Sequence, residues 1–109
     1  MLCPRLLSSV FQKMIIRVFR AQVQPGAHAE YERLVREQAI PFMQKQLGLG
    51  ALHVGVPMPQ SPDEFVMVSV RQDFQAMKQF TGEQWQNAVV LSGEERLVAR
   101  MTVDHYASL

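Results

Sequence analysis

The order in which the hydrophobic period switches between two and 3.6 limits the folds open to this chain. Residues 14–23 read MIIRVFRAQV, rich in β-branched and aromatic residues and free of Gly and Pro, which is a strand pattern. Pro25-Gly26 ends it with a turn signal. From Ala27 the period changes: Tyr31, Leu34, Val35, Gln38 and Phe42 fall at helical spacing, with Glu30, Glu32, Arg33, Arg36 and Glu37 off that face. Pro41 lacks a backbone donor, so this helix should kink or restart there, and Gly48 and Gly50 close it. Residues 51–56 form a second strand pattern, stopped by a loop over 57–63 that holds Pro57, Pro59 and Pro62; EFVMVSVR over 64–71 is a third. The short loop makes these two strands antiparallel neighbours.

Asp73 can cap a second helix through its side-chain oxygen, with Phe74, Met77 and Phe80 as its apolar face. Thr81 and Gln84 match a capping box, which predicts a restarted helix carrying Trp85, Ala88 and Val89. Ser92-Gly93 ends that region, and residues 97–106 form the last strand. The order is therefore βαββαβ. Helices covering one face of an antiparallel sheet give an α+β, ferredoxin-like architecture with four strands in the order 4-1-3-2. The domain is expected to occupy residues 14–109. Residues 1–13 carry Arg5, Lys13 and an apolar cluster of Leu6, Leu7, Val10 and Phe11. They are read as an extension ahead of the domain rather than a targeting segment, because no small-residue cleavage site follows.

Side chains alternate across a sheet. Val66, Val68 and Val70, with Ala99, Met101 and Val103, are assigned to the face beneath the helices. The opposite face then carries Ile16, Val18, Phe65, Met67 and Tyr106 beside Arg20, Gln22, His53, Arg71 and Arg100. A one-residue error in the phase of a strand would exchange its faces. An open face with that much apolar area is an association site, and packing against the same face of a second copy, as a homodimer, is the economical way to cover it.

Composition narrows the function. In 109 residues the net charge is +1 with both signs interspersed, which is no footprint for nucleic acid. No apolar run approaches the roughly 20 residues of a membrane helix. Cys3 is the single cysteine, which excludes an internal disulfide and fits a reducing, cytoplasmic setting. Neither of two glycine-rich phosphate-loop motifs, G-x-G-x-x-G and G-x-x-x-x-G-K-[ST], occurs. His28, His53 and His105 form no metal pair and no triad, and each is read as structural or solvated. An RNA-recognition sheet would need exposed aromatics on its central strands, and EFVMVSVR has one Phe.

Phe19, Phe42, Phe80 and Trp85 remain. Core filling accounts for any one of them. Together they also suit an apolar pocket for a small aromatic ligand, with Arg17 and His105 as the nearest polar groups. IIRVFRAQV followed by PGAHAEYERLV, then GALHVGV, DFQAMKQFTGEQWQNAVV and VARMTVDHYASL, resembles the antibiotic biosynthesis monooxygenase family of the dimeric α+β barrel superfamily, over about residues 14–106. The resemblance implies a homodimer with facing sheets. It also implies either oxidation of quinols or polycyclic aromatics by oxygen with no added cofactor, or haem breakdown. The haem branch uses an Asn, a Trp and a His at positions that fall near Phe19, Phe80 and Val90. The Asn and the His are missing here, so haem breakdown is not expected. Trp85, Arg17 and Asn87 are the counterparts of the oxygenase branch. Arg17 and Trp85 are therefore taken as catalytic candidates, and Phe19, Phe42, Phe80 and His105 as substrate-binding ones. A non-catalytic module holding an apolar ligand in the same pocket is the alternative.

Overall fold

The computed structural model describes residues 13–109; the expected extension, with Cys3 and the apolar cluster around Leu6, lies outside them apart from Lys13. Strand β1 spans Ile15–Val23, helix α1 His28–Leu34, a π-helical segment Val35–Ala39, helix α2 Ile40–Gln44, β2 Leu49–Gly55, β3 Glu64–Arg71, helix α3 Phe74–Thr81 and β4 Val98–Ala107. The four strands make one antiparallel sheet in the order β2-β3-β1-β4, which is the 4-1-3-2 order expected. Among the described residues no helix is long and apolar enough to cross a membrane.

The predicted interruption of the first helix is a π-helical turn. Pro41 has no N–H to return to the preceding turn, so the ladder widens over Val35–Ala39 before α2 begins. Gly48 then lets the chain reverse into β2. It adopts φ +83°, and a Cβ there would lie 2.5 Å from that of Ala76, so this position is closed to side chains. Asp73 caps α3 as expected, accepting from the Ala76 N–H at 2.9 Å.

Two expectations are corrected. The capping box at Thr81 does not form: its hydroxyl donates back to the Met77 carbonyl at 3.0 Å, and only a single 3-10 turn, Gly82–Gln84, follows. No helix carries Trp85, Ala88 and Val89, because Gly82 sits at φ +77° and the Trp85 and Asn87 carbonyls, which a helix would need, are taken by Arg17.

The second correction concerns the faces. Arg17, Phe19 and Ala21 pair with Ser69, Met67 and Phe65, so these residues share the helix-covered side. Phe65, Met67 and Arg71 therefore face the helices, and Val66, Val68 and Val70 belong to the open face with Ile16 and Val18. On β4, Met101 and Val103 face the helices as expected. Ala99 is exposed beside a bulge at Gln22/Val23. The core gathers Ala21, Val23, Tyr31, Leu34, Phe65 and Leu97, with the Tyr31 and Phe65 rings edge to face at 4.9 Å.

Candidate functional site

Alternation along β1 sends Arg17 and Phe19 to the helix side, where the widened turn around Val35–Ala39 leaves space. The resulting cavity is small and opens to solvent on one side. Phe19 and Met67 form its sheet wall; Phe42 and Met43 of α2 and Phe80 of α3 form the helical one. Val89, Leu91 and Glu94 close it from the loop. The Phe42 and Phe80 rings lean on each other at 5.6 Å. Phe42 is 38% exposed and stands at the solvent side.

Arg17 is the cation of this cavity and is only 3% exposed. Its Nη1 donates to the Trp85 carbonyl at 2.9 Å and to His105 Nε2 at 2.7 Å, and its Nη2 donates to the Asn87 carbonyl at 3.1 Å. All three partners are neutral acceptors. The bond to His105 fixes that ring: a guanidinium has no acceptor atom, so Nε2 must accept and the ring proton is on Nδ1. Burial, with the Arg71 charge adding to it, lowers Arg17 to about 10, which leaves it charged at neutral pH. Three of its five N–H groups are engaged, and the rest remain for a ligand.

Burial and then the Arg17 charge lower the His105 pKa, against a smaller opposing effect of Asp104. The neutral ring is thus the folded-state form. Above the ordinary imidazole value both folded and unfolded chains hold it neutral. As pH falls below about 6.5 the unfolded chain takes up a proton that the folded one resists, so stability declines with acidification. His105→Gln, whose side-chain oxygen can still accept from Arg17, should lose less melting temperature than the parent between pH 7.5 and 5. Equal losses would remove His105 from the balance.

Of the sequence candidates, Arg17, Phe19, Phe42 and Phe80 meet on the cavity wall. Trp85 and His105 stand behind Arg17 instead, their rings edge to face at 5.1 Å, with Phe74 on the far side of Trp85 at 5.4 Å. Trp85 and Asn87, named for their side chains, meet Arg17 through backbone carbonyls. Sequence reasoning missed two buried ionisable groups. Glu94, 2% exposed, takes the Tyr31 hydroxyl at 2.5 Å and the Leu91 N–H at 3.0 Å. Burial and that carboxyl push the Tyr31 phenol well above its usual value. Arg71, 0% exposed, lies over the Phe80 ring at 4.2 Å. Glu94 is adjacent to Glu95 and Arg96 in a polar run, so nothing in the sequence marked it as buried. His28 pairs with Asp63 at 3.0 Å, and His53 is exposed on the open face. Among the described residues no group of His, Cys, Asp and Glu side chains is arranged to hold a metal ion.

This sheet, its helices on one side and the cavity between them define a ferredoxin-like α+β domain with the fold of the antibiotic biosynthesis monooxygenases. A Shewanella oneidensis protein of known structure matches at TM-score 0.73 and 15% identity, over 89% of this chain and 92% of its own. A Bordetella bronchiseptica protein provisionally described as an antibiotic biosynthesis monooxygenase matches at TM-score 0.67 and 21% identity, over 90% of this chain and 99% of its own. A variant of SnoaB, a cofactor-independent oxygenase from Streptomyces nogalater, matches at TM-score 0.68 and 17% identity, over 88% and 93%. No protein-family model and no curated protein matches the sequence. At these identities the likeness establishes the fold and leaves the reaction to the site.

Proposed function

We propose that the chain is a cofactor-independent monooxygenase acting on a small, electron-rich aromatic with an ionisable hydroxyl. The observation that carries this reading is a charged guanidinium with unused donors, buried in a cavity whose other lining is aromatic and apolar apart from Ser69 and Glu94, in a fold that SnoaB shares. Phe80 and Phe42 would flank the ring from one side. Arg17 would stabilise the aryl oxyanion, lowering the pKa of the hydroxyl so that the electron-rich anion forms near neutral pH. Trp85, taken from the sequence as a catalytic candidate, would serve instead by holding Arg17 with its carbonyl. In such a reaction the CH₂ of the substrate's keto tautomer, activated by enolisation to the aryl oxide, becomes a ketone as its two C–H bonds break. One oxygen atom enters the product and the other leaves as water, and the substrate supplies all four electrons.

The working form would be a homodimer joined through the open sheet faces. That face offers Ile16, Val18, Val66, Val68, Val70 and Tyr106, and its central charges already pair: Arg20 reaches Asp104 at 3.0 Å. Oxygen uptake over a panel of quinols and anthrones tests the catalytic reading. Consumption above a heat-killed control, with ketone or quinone product, is expected. Ligand binding without any uptake would replace it with the non-catalytic binding module.

A further inference from the structure

Arg71 is a buried cation for which the described residues supply no anion. Among them its Nε and Nη1 have no hydrogen-bond partner, and Nη2 meets the Met43 sulfur at 3.5 Å, a weak acceptor. Among the described residues no carboxylate forms an ion pair with it or with Arg17. Desolvation lowers the pKa of both, and the charge of Arg71 adds to the lowering for Arg17. Glu94, the one acidic group on the cavity wall, is turned to Tyr31 and to the Leu91 N–H. The Phe80 ring face offsets part of the charge, less than a carboxylate would. A buried charge left in this state destabilises the empty protein, and an apolar residue of similar length would pack there at lower cost. Groups kept against stability are commonly kept for a ligand.

Phe80 and Met43 both touch the Arg71 guanidinium and both line the cavity. Phe80 is near the end of α3, two residues before Gly82. A turn of its ring would bring the guanidinium within reach of the cavity. Nε and Nη2 share one planar edge, held only by a thioether, and such an edge is the one carboxylates take bidentately. From this arrangement we infer that the pocket takes an aromatic carboxylate, with Arg71 as the group that selects the negative charge and Arg17 left free for the reacting oxygen. The inference rests on the functional reading above only for the identity of the pocket, and it names the substrate class.

The test measures binding, so it is independent of turnover. Benzoate and its neutral isostere benzamide are titrated into the full-length protein by NMR and calorimetry. Benzoate should bind at least about tenfold more tightly. Arg71→Met should erase that preference, leave benzamide affinity unchanged, and melt no lower than the parent, by expectation about 4 °C higher. Arg71→Lys, which keeps the charge and loses the planar fork, should retain only part of the preference. That variant decides the matter if Arg71→Met does not fold. Equal binding of the two probes by the parent overturns the inference. So does a preference that survives in Arg71→Met or is complete in Arg71→Lys, or an Arg71→Met protein that melts lower with its preference intact. Absence of oxygen consumption would defeat the catalytic reading and leave this one standing.

Discussion

Val68→Asp is expected to convert the proposed dimer into folded monomers, whereas Phe65→Asp, on the other face of the same strand, should prevent folding. Val68 pairs with Val18 and His53 at the centre of the open face. A carboxylate there meets water in the monomer and costs little. In a twofold interface it would place two desolvated like charges near each other, an effect of several kcal/mol against association. Phe65 is 3% exposed and packs edge-on against Tyr31 in the core. Its replacement removes an aromatic worth about 3–5 kcal/mol and buries a charge, which together reach the whole stability of a small domain. Light scattering coupled to size-exclusion chromatography reads the first result and circular dichroism the second. A parent protein that elutes as a monomer at micromolar concentration would remove the dimer, and so would a dimeric Val68→Asp protein.

Arg17→Met should affect both stability and reaction. The Trp85 and Asn87 carbonyls would lose their partner, and with them the segment after α3 would lose its tie to β1. Hydrogen bonds to charged groups are worth about 1.5–3 kcal/mol each. Relief of the repulsion between Arg17 and Arg71 returns part of this, so a net loss of about 2 kcal/mol in urea unfolding is expected. If the cavity oxidises an aryl hydroxyl, kcat should fall by about 10²–10³, the usual cost of removing an oxyanion donor. Arg17→Lys would keep the charge without reaching three acceptors from one plane, and should recover only part of either effect. An Arg17→Met protein as stable as the parent would mean that the loop is held by other contacts.

Some of this was legible residue by residue. The βαββαβ order follows from local periodicity, the β2–β3 pairing from a short loop and the Asp73 cap from its own side chain, while the strand order came from the ferredoxin-like architecture that this element order suggests. Arg17 and Phe19 share a face through strand alternation alone. Phe42 and Phe80 fell on the apolar faces of their helices. These are short-range regularities, fixed by backbone geometry whatever the surroundings.

The phase of β3 was not fixed in this way. EFVMVSVR is apolar at both parities, so the hydrophobic pattern cannot choose between them, and the more polar set, with Ser69 and Arg71, is the buried one. Pairing with β1 decides it: Arg17, Phe19 and Ala21 must face the helices, and their partners Ser69, Met67 and Phe65 follow. The helix expected at Trp85 was lost for a related reason. A guanidinium 68 residues earlier in the chain takes the Trp85 carbonyl, and no local propensity records that competition. Sequence by itself determined the four strands, the helices that follow β1 and Asp73, and the order in which they connect. Tertiary structure alone decided which side of β3 is buried, and so placed Arg71 against Phe80 and Met43, two residues that line the cavity of Arg17.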